Sequence, residues 1–135
     1  MSWLIDTSLW IDFTRSRSPR SLKLFISPFI LSPQAALAEP IQYEVLRHAT
    51  DEELPPVQLQ FQTMSLLQTP DDLWSSAATL GQRCRKKGIN AGSLDLLIVT
   101  VAIHHQAELI TFDRDFQNIT RACDLRLKLL QRPNP

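Results

Sequence analysis

Four acidic residues occupy positions that the apolar pattern of the chain does not explain. Asp6 and Asp113 each follow a short apolar run of the kind found in buried parallel strands. Asp95 lies in the first turn of a predicted helix, and Glu44 lies one turn into another. Open parallel sheets bind ligands outside the carboxyl ends of their strands and beside helix amino ends. The four side chains are therefore candidates for one shared site.

Carboxylates that are brought together repel one another, and a divalent cation offsets that repulsion. Mg²⁺ and Mn²⁺ prefer oxygen ligands and commonly join protein carboxylates to the phosphates of a substrate. A metal in that position can activate water and neutralise charge that develops at phosphorus. The acidic set therefore predicts metal-dependent hydrolysis of phosphodiesters. No serine, cysteine or histidine is paired in a way that indicates a covalent nucleophile.

A structural role is the alternative interpretation of each acid taken alone. An aspartate at a strand end is commonly a cap or turn residue, and the helix dipole accounts for Asp95 in a first helical turn. Asp115 could likewise cap the segment that begins at Phe116. The occurrence of all four acids beside strand ends or helix starts is harder to explain by capping alone, and at this point the metal site and the structural roles are both open.

Strands and helices are predicted to alternate along the chain. Strands are expected at residues 3–5, 29–32 and 109–112. One helix is expected after an N-cap at Thr7 or Ser8, one with Pro40 in its first turn and one after an N-cap at Ser93, with two more over residues 57–68 and 71–87. Such alternation indicates a parallel sheet covered on both faces, that is, an α/β sandwich.

Length and composition limit the classes that need to be considered. A chain of 135 residues with 44% hydrophobic residues is expected to form one domain over residues 1–135. No apolar run approaches the roughly 18 residues of a membrane span, and the first residues lack a basic signal region, so we expect a cytoplasmic protein with no membrane partner. The two cysteines and three histidines lack the spacing of a disulfide framework or a zinc site.

The formal net charge of zero conceals an uneven distribution. Fourteen basic residues face fourteen acidic ones, and setting aside the four acids of the proposed site together with Asp115 leaves nine acids against fourteen basic residues. Positive segments near a metal site can hold a phosphate backbone. The alternative is that they are solvated helix faces. The stretch without acids after the first helix gives the RNA-binding candidates Arg15, Arg17, Arg20 and Lys23.

Four motifs, in order along the whole chain, resemble those of PIN-domain nucleases. The first is Leu4-Ile5-Asp6-Thr7-Ser8 with Trp10-Ile11-Asp12-Phe13, and the second is Pro40-Ile41-x-x-Glu44-Val45-Leu46-Arg47. The third is Asp95-Leu96-Leu97-Ile98-Val99-Thr100-Val101-Ala102, and the fourth is Leu109-Ile110-Thr111-Phe112-Asp113-Arg114-Asp115-Phe116. The short chain is similar to the VapC-type toxins of bacterial and archaeal toxin–antitoxin pairs.

The resemblance implies a fold, a set of site residues and a cofactor. The fold is a PIN-like, Rossmann-like three-layer sandwich with a central parallel sheet. Asp6, Glu44, Asp95 and Asp113 would be catalytic and would hold one or two Mg²⁺ or Mn²⁺ ions. Asp115 would be an additional acid at the metal, and Thr111 and Ser8 would be accessory polar neighbours. Glu39 is an alternative to Glu44 as the second acid, but Glu44 is followed by the aliphatic pair and preceded by Pro40 at the right distance.

The resemblance also implies an activity and partners. It implies a Mg²⁺- or Mn²⁺-dependent endoribonuclease, acting on tRNA or ribosomal RNA through a metal-activated water. The protein would be a homodimer held inactive by a VapB-type or similar antitoxin. Two alternatives stay open, namely a PIN nuclease of RNA processing and a non-catalytic PIN fold that binds RNA or protein. An aspartyl-nucleophile phosphatase would have Asp-x-Asp after the first strand, whereas position 8 is serine.

Overall fold

Residues 1–134, which the computed structural model describes, form five strands and seven α-helices. The strands are β1 (Trp3–Ile5), β2 (Ala35–Leu37), β3 (Ser65–Leu66), β4 (Glu108–Thr111) and β5 (Arg126–Leu129). The helices are α1 (Thr7–Thr14), α2 (Arg20–Ile30), α3 (Glu39–His48), α4 (Leu54–Gln62), α5 (Leu73–Lys86), α6 (Ser93–His104) and α7 (Asp115–Ile119). A short 3₁₀-helix, Thr120–Ala122, follows α7.

The five strands form one parallel sheet in the order β3-β2-β1-β4-β5. Leu4 of β1 lies between Ala36 of β2 and Leu109 of β4 in the register. Strands β2 and β3 follow one after the other on one side of β1. The chain then crosses to the other side of β1 for β4 and β5, so the strand order reverses between β1 and β4. Ligands of open α/β sheets bind beyond the carboxyl ends of the strands at such a reversal. The predicted α/β fold with a central parallel sheet is confirmed.

Both faces of the central strands are covered. Successive residues of a strand point to opposite faces, and neighbouring Leu4 and Ile5 are each 0% exposed. Trp10 of α1 is also fully buried and packs edge-on against Phe61 of α4, with 5.0 Å between ring centroids. Trp10 therefore belongs to the core. Within residues 1–134, no helix is both long enough and apolar enough to cross a membrane.

The strand predicted at residues 29–32 is wrong. Phe29 and Ile30 close α2, and the second strand begins only at Ala35. Ile26 and Ile30 are both buried, which is the spacing of one helical face. A short apolar run does not by itself distinguish a strand from a buried helical turn.

Other boundaries differ by a few residues. Asp6, rather than Thr7 or Ser8, caps α1, and Gly92 rather than Ser93 stands at the N-cap of α6. The predicted helix over residues 57–68 begins earlier, at Leu54, and stops before the two-residue strand β3, which was not predicted. The edge strand β5 was not predicted either.

Two helices end in the same Schellman geometry, and the second of them leads directly into β4. Gly88 follows α5 with φ of 72°, and Ile89 N–H donates to Cys84 O at 2.8 Å. Gln106 follows α6 with φ of 53°, and Ala107 N–H donates to Ala102 O at 2.9 Å. Glycine is the usual residue in this left-handed position, so Gln106 is the less favourable of the two.

Substitutions at these two positions should change stability in opposite directions. Gly88→Ala should lower the free energy of unfolding by about 1 kcal/mol, because an L residue is disfavoured at positive φ. Gln106→Gly should raise it by roughly 0.5 kcal/mol, since relief of that penalty is partly offset by the greater freedom of glycine in the unfolded chain. Urea denaturation of both variants checks this, and changes of the same sign would contradict the assigned helix ends.

Candidate metal centre

Asp6 is held in a fixed orientation between the first helix and the fourth strand. Its Oδ2 accepts hydrogen bonds from Ser8 Oγ at 2.8 Å, Ser8 N at 3.3 Å and Thr111 Oγ1 at 2.7 Å. The residue is 4% exposed and follows β1 directly as the N-cap of α1. None of these three bonds uses Oδ1.

The two hydroxyl groups that bind Asp6 also position the next acid along β4. Ser8 Oγ accepts from Phe112 N at 3.1 Å, and Thr111 Oγ1 accepts from Asp113 N at 2.9 Å. Each hydroxyl has a single proton, and both protons are directed at Asp6. The 3.3 Å contact between the two hydroxyl oxygens then needs no hydrogen bond of its own. This arrangement requires Asp6 to be an acceptor at Oδ2.

Burial and hydrogen bonding act on Asp6 in opposite directions. Burial raises the pKa of this carboxyl above its usual value, and the hydrogen bonds from Thr111 and Ser8 partly offset that effect. The network therefore favours a carboxylate in a place where desolvation alone would favour a neutral acid.

Three further carboxyl groups meet beside this network. Asp95, Asp113 and Asp115 each offer an oxygen, and these three oxygens lie within 4.8 Å of one another. Asp95 comes from the first turn of α6, Asp113 follows β4, and Asp115 begins α7. Asp113 Oδ1 accepts from Asp115 N at 2.9 Å, which fixes the turn between them.

Asp95 experiences the charge of the whole acidic set. Partial burial, followed by the negative charges of its neighbours, raises the pKa of Asp95 to about 7. The neighbours that contribute are Asp6, Asp113, Glu44 and Asp115. The structure thus brings Asp95, Asp113 and Asp115 together, and it places Asp6 and Glu44 near enough for their charges to act on Asp95.

The two candidates for the second acid have different surroundings. Glu44 is half-buried in the second turn of α3, close enough to Asp95 to raise its pKa. Glu39 is exposed at the start of the same helix and accepts a hydrogen bond from Thr69 Oγ1. Of the two, only Glu44 is among the charges that act on Asp95.

The donor set fits a hard divalent cation. All five groups are carboxylates, the oxygen ligands that Mg²⁺ and Mn²⁺ prefer. Across residues 1–134, the one ion pair joins Arg132 to Asp12, and no basic side chain pairs with the five acids. The repulsion that raises the pKa of Asp95 is therefore not offset by a cationic side chain.

The basic segment predicted to bind RNA lies on the surface. Arg15, Arg17 and Arg20 are exposed and Lys23 is half-buried. The segment is attached to the start of α4, where Ser16 N donates to Glu53 Oε2 at 3.3 Å. In the part of the chain that the structure describes, none of the four side chains forms an ion pair or hydrogen bond with the acids.

Arg132 is a cationic residue near this edge of the sheet that the sequence interpretation did not include. Its guanidinium lies over the ring of Phe112, with 4.6 Å from Cζ to the centroid, and its Nε donates to Asp12 Oδ2 at 2.6 Å. Phe112 separates Thr111 from Asp113 in the chain. A lone arginine in a tail without a periodic pattern gave no signal in the sequence.

Comparison with known proteins gives consistent matches over most of the chain. The family model described as "PIN domain" matches residues 3–122. The protein named VapC ribonuclease Mb1587 from Mycobacterium bovis is 30% identical over 129 residues, which cover 91% of this chain and 95% of that protein.

Two solved structures share the fold at low sequence identity. VapBC2 from Rickettsia felis, bound to a DNA fragment from its promoter, gives a TM-score of 0.77 at 16% identity, covering 97% of this chain and 100% of that chain. VapBC-1 from nontypeable Haemophilus influenzae gives 0.72 at 20% identity, covering 96% and 98%.

The charge repulsion at Asp95 predicts how stability depends on pH in the absence of metal. The pKa of Asp95 is raised by folding from 3.8 to about 7, so the folded protein binds the proton more tightly than the unfolded chain. Its contribution to stability is complete below about pH 4 and is lost as the pH rises through about 7. The Tm of the protein in EDTA should therefore include a component that decreases between about pH 4 and 7 and levels off above about pH 8.

Asp95→Asn isolates that component. In EDTA at about pH 8.5 the variant should melt roughly 2–4 °C above the parent, which corresponds to about 1 kcal/mol after allowance for screening of this partly exposed group. The difference should shrink as the pH falls below about 7 and should vanish near pH 4, where Asp95 is protonated in both states. Mn²⁺ should raise the Tm of the parent at high pH more than that of the variant. A difference in Tm that does not change with pH would contradict the assigned repulsion.

Proposed function

The chain belongs to the PIN-domain family, and on that premise we propose that it is a Mg²⁺- or Mn²⁺-dependent endoribonuclease, the toxin of a toxin–antitoxin pair. The observation that carries the proposal is the acidic cluster beside the reversal of strand order: the oxygens of Asp95, Asp113 and Asp115 lie within 4.8 Å of one another, and the charges of Asp6 and Glu44 act on Asp95. A relative at 30% identity is named a ribonuclease, which supports RNA as the substrate.

Asp6, Glu44, Asp95, Asp113 and Asp115 are the proposed metal ligands, and the first four of them are the proposed catalytic residues. A bound divalent cation supplies positive charge that activates water and offsets the charge developing on phosphorus. The residues of the chain fix the positions of the ligands. Ser8 and Thr111 hold the Asp6 carboxylate by Oδ2, and Thr111 also binds the backbone of Asp113.

The proposed reaction is hydrolysis of an internal RNA phosphodiester. The oxygen of water forms a new bond to phosphorus, the bond from phosphorus to one ribose oxygen breaks, and that oxygen takes up a proton. Substrates in the tRNA or ribosomal RNA class fit this proposal, since exposed single-stranded loops are the RNA segments that a protein reaches most readily. The exposed residues Arg15, Arg17, Arg20 and Lys23 would contribute to RNA binding away from the acids.

Protein partners complete the proposal. The solved structures with this fold include VapBC complexes, which supports a VapB-type antitoxin as a partner of this chain. We further propose a cytoplasmic homodimer in which the single domain of residues 1–135 carries the activity.

Cleavage of RNA by the purified protein, freed of any bound partner, tests the proposal. Total cellular RNA should give discrete fragments in Mg²⁺ or Mn²⁺ and none in EDTA. Asp6→Asn should keep the fold, because asparagine can also cap α1 and accept from Ser8 and Thr111, and should slow cleavage by about 10²–10³-fold. Cleavage by this variant at the rate of the parent would overturn the assignment of the acids.

Two glutamate variants on one helix provide the matched control. Glu44→Gln should slow cleavage strongly, whereas Glu39→Gln should leave the rate close to that of the parent. Both remove one charge from α3, so a general effect of charge would act on them alike. Equal losses in the two variants would show that the position of Glu44 beside Asp95 has no special role. Folded protein that binds metal but cuts no RNA would favour a non-catalytic PIN fold.

A further inference from the structure

The chain after β5 leaves the sheet at the carboxyl ends of the strands, on the same side as the acids. All neighbouring strands are parallel, so the carboxyl ends of β1, β4 and β5 lie at one edge. Thr111 of β4 pairs with Leu129 of β5, and Leu130 N donates to Thr111 O at 2.7 Å. Arg132 follows two residues later, beside the segment that carries Thr111 and Asp113.

Two contacts fix the guanidinium of Arg132. Its Nε donates to Asp12 Oδ2 at 2.6 Å, and the Asp12 side chain is only 13% exposed. One face of the guanidinium lies on Phe112, with 4.6 Å from Cζ to the ring centroid. The Phe112 ring is in turn stacked on Phe25 of α2, with 6.2 Å between centroids. Arg132 therefore contacts both α1 and the segment after β4.

The opposite edge of the guanidinium is left for a ligand. Arginine carries five N–H donors, and the hydrogen bonds of residues 1–134 use only Nε of Arg132. The side chain is 51% exposed. Both terminal nitrogens thus retain their donors, in a group whose orientation is already set.

We propose that Arg132 binds a phosphate of the RNA substrate next to the segment after β4 that carries Asp113. This inference rests on the proposed ribonuclease function. A planar guanidinium matches a phosphate with two parallel hydrogen bonds, and one held in place beforehand loses little entropy when the ligand binds. The five acids repel a polyanion, so the substrate needs phosphate-binding donors outside the acidic set, and Arg132 supplies them next to the segment that carries Asp113.

Stabilisation of the tail is the alternative role for this residue. An ion pair whose arginine is half exposed contributes only about 0–1 kcal/mol to stability. A tail contact would change the Tm and leave the salt dependence of RNA binding unchanged. A phosphate contact would change that salt dependence, because each neutralised phosphate releases counterions.

The test measures the affinity of a labelled single-stranded RNA of mixed sequence over a range of salt concentrations, with Mg²⁺ present. Asp6→Asn serves as the background so that the RNA is bound and not cut. In that background Arg132→Met should weaken binding about tenfold and reduce the slope of log Kd against log salt by about 0.7, the value for one phosphate contact on a single strand. Arg132→Lys should keep the slope and lose part of the affinity.

Arg126→Met is the matched control, because Arg126 is exposed at the first residue of β5, at the opposite end of that strand from the tail that carries Arg132. It should leave the slope and the affinity unchanged. Asp12→Asn should lower the Tm as Arg132→Met does but keep the slope, since the guanidinium remains.

The outcomes separate the two proposals. Equal slopes and affinities for Arg132→Met and Arg126→Met would assign Arg132 to the tail contact alone and overturn the inference. Absence of RNA binding by the parent and by the Asp6→Asn background would instead refute the proposed function, and the inference with it.

Discussion

Electrostatic repulsion between carboxylates at one edge of a parallel sheet is the constraint on which this structure depends. The strand order brings the ends of β1 and β4 side by side, and the helices α3 and α6 add Glu44 and Asp95 to the same region. Burial and the neighbouring charges raise the pKa of Asp95 to about 7. Among residues 1–134 no basic side chain forms an ion pair with these acids, so their mutual repulsion lowers the stability of the fold. A divalent cation is the ligand that would restore that stability.

A small number of hydroxyl groups keep that region ordered. Ser8 and Thr111 donate to Asp6 and accept backbone N–H groups of the segment after β4, so the first helix and the fourth strand share one network. Arg132 joins the same two elements from outside, through Asp12 and Phe112. The acids therefore stand on backbone that is held from two sides, which is what a site of defined ligand geometry requires.

Much of the fold and of the acidic set could be predicted because local signals and topology agree there. Buried runs at β1 and β4 and the start of α3 at Glu39–Pro40 gave clear patterns, and the acids that interrupt them marked the site. The strand prediction for residues 29–32 was wrong because an apolar run of that length suits a helical turn as well as a strand. The edge strand β5 alternates exposed and half-buried residues and includes two basic ones, so it lacked the apolar signature of β1. Arg132 could not be identified, because its contacts with Asp12 and Phe112 exist only after the chain has folded.

Proton release on metal binding tests the central claim most directly. Calorimetric titration with Mn²⁺ in buffers of different ionisation enthalpy measures the number of protons displaced. Because Asp95 has a pKa of about 7 in the absence of metal, binding at about pH 6.5 should displace roughly one proton, and binding at about pH 8.5 should displace far fewer. Asp95→Asn should remove most of this difference. Binding that releases no protons at either pH, or no binding of Mn²⁺ at all, would contradict the account of the acidic cluster as a metal centre.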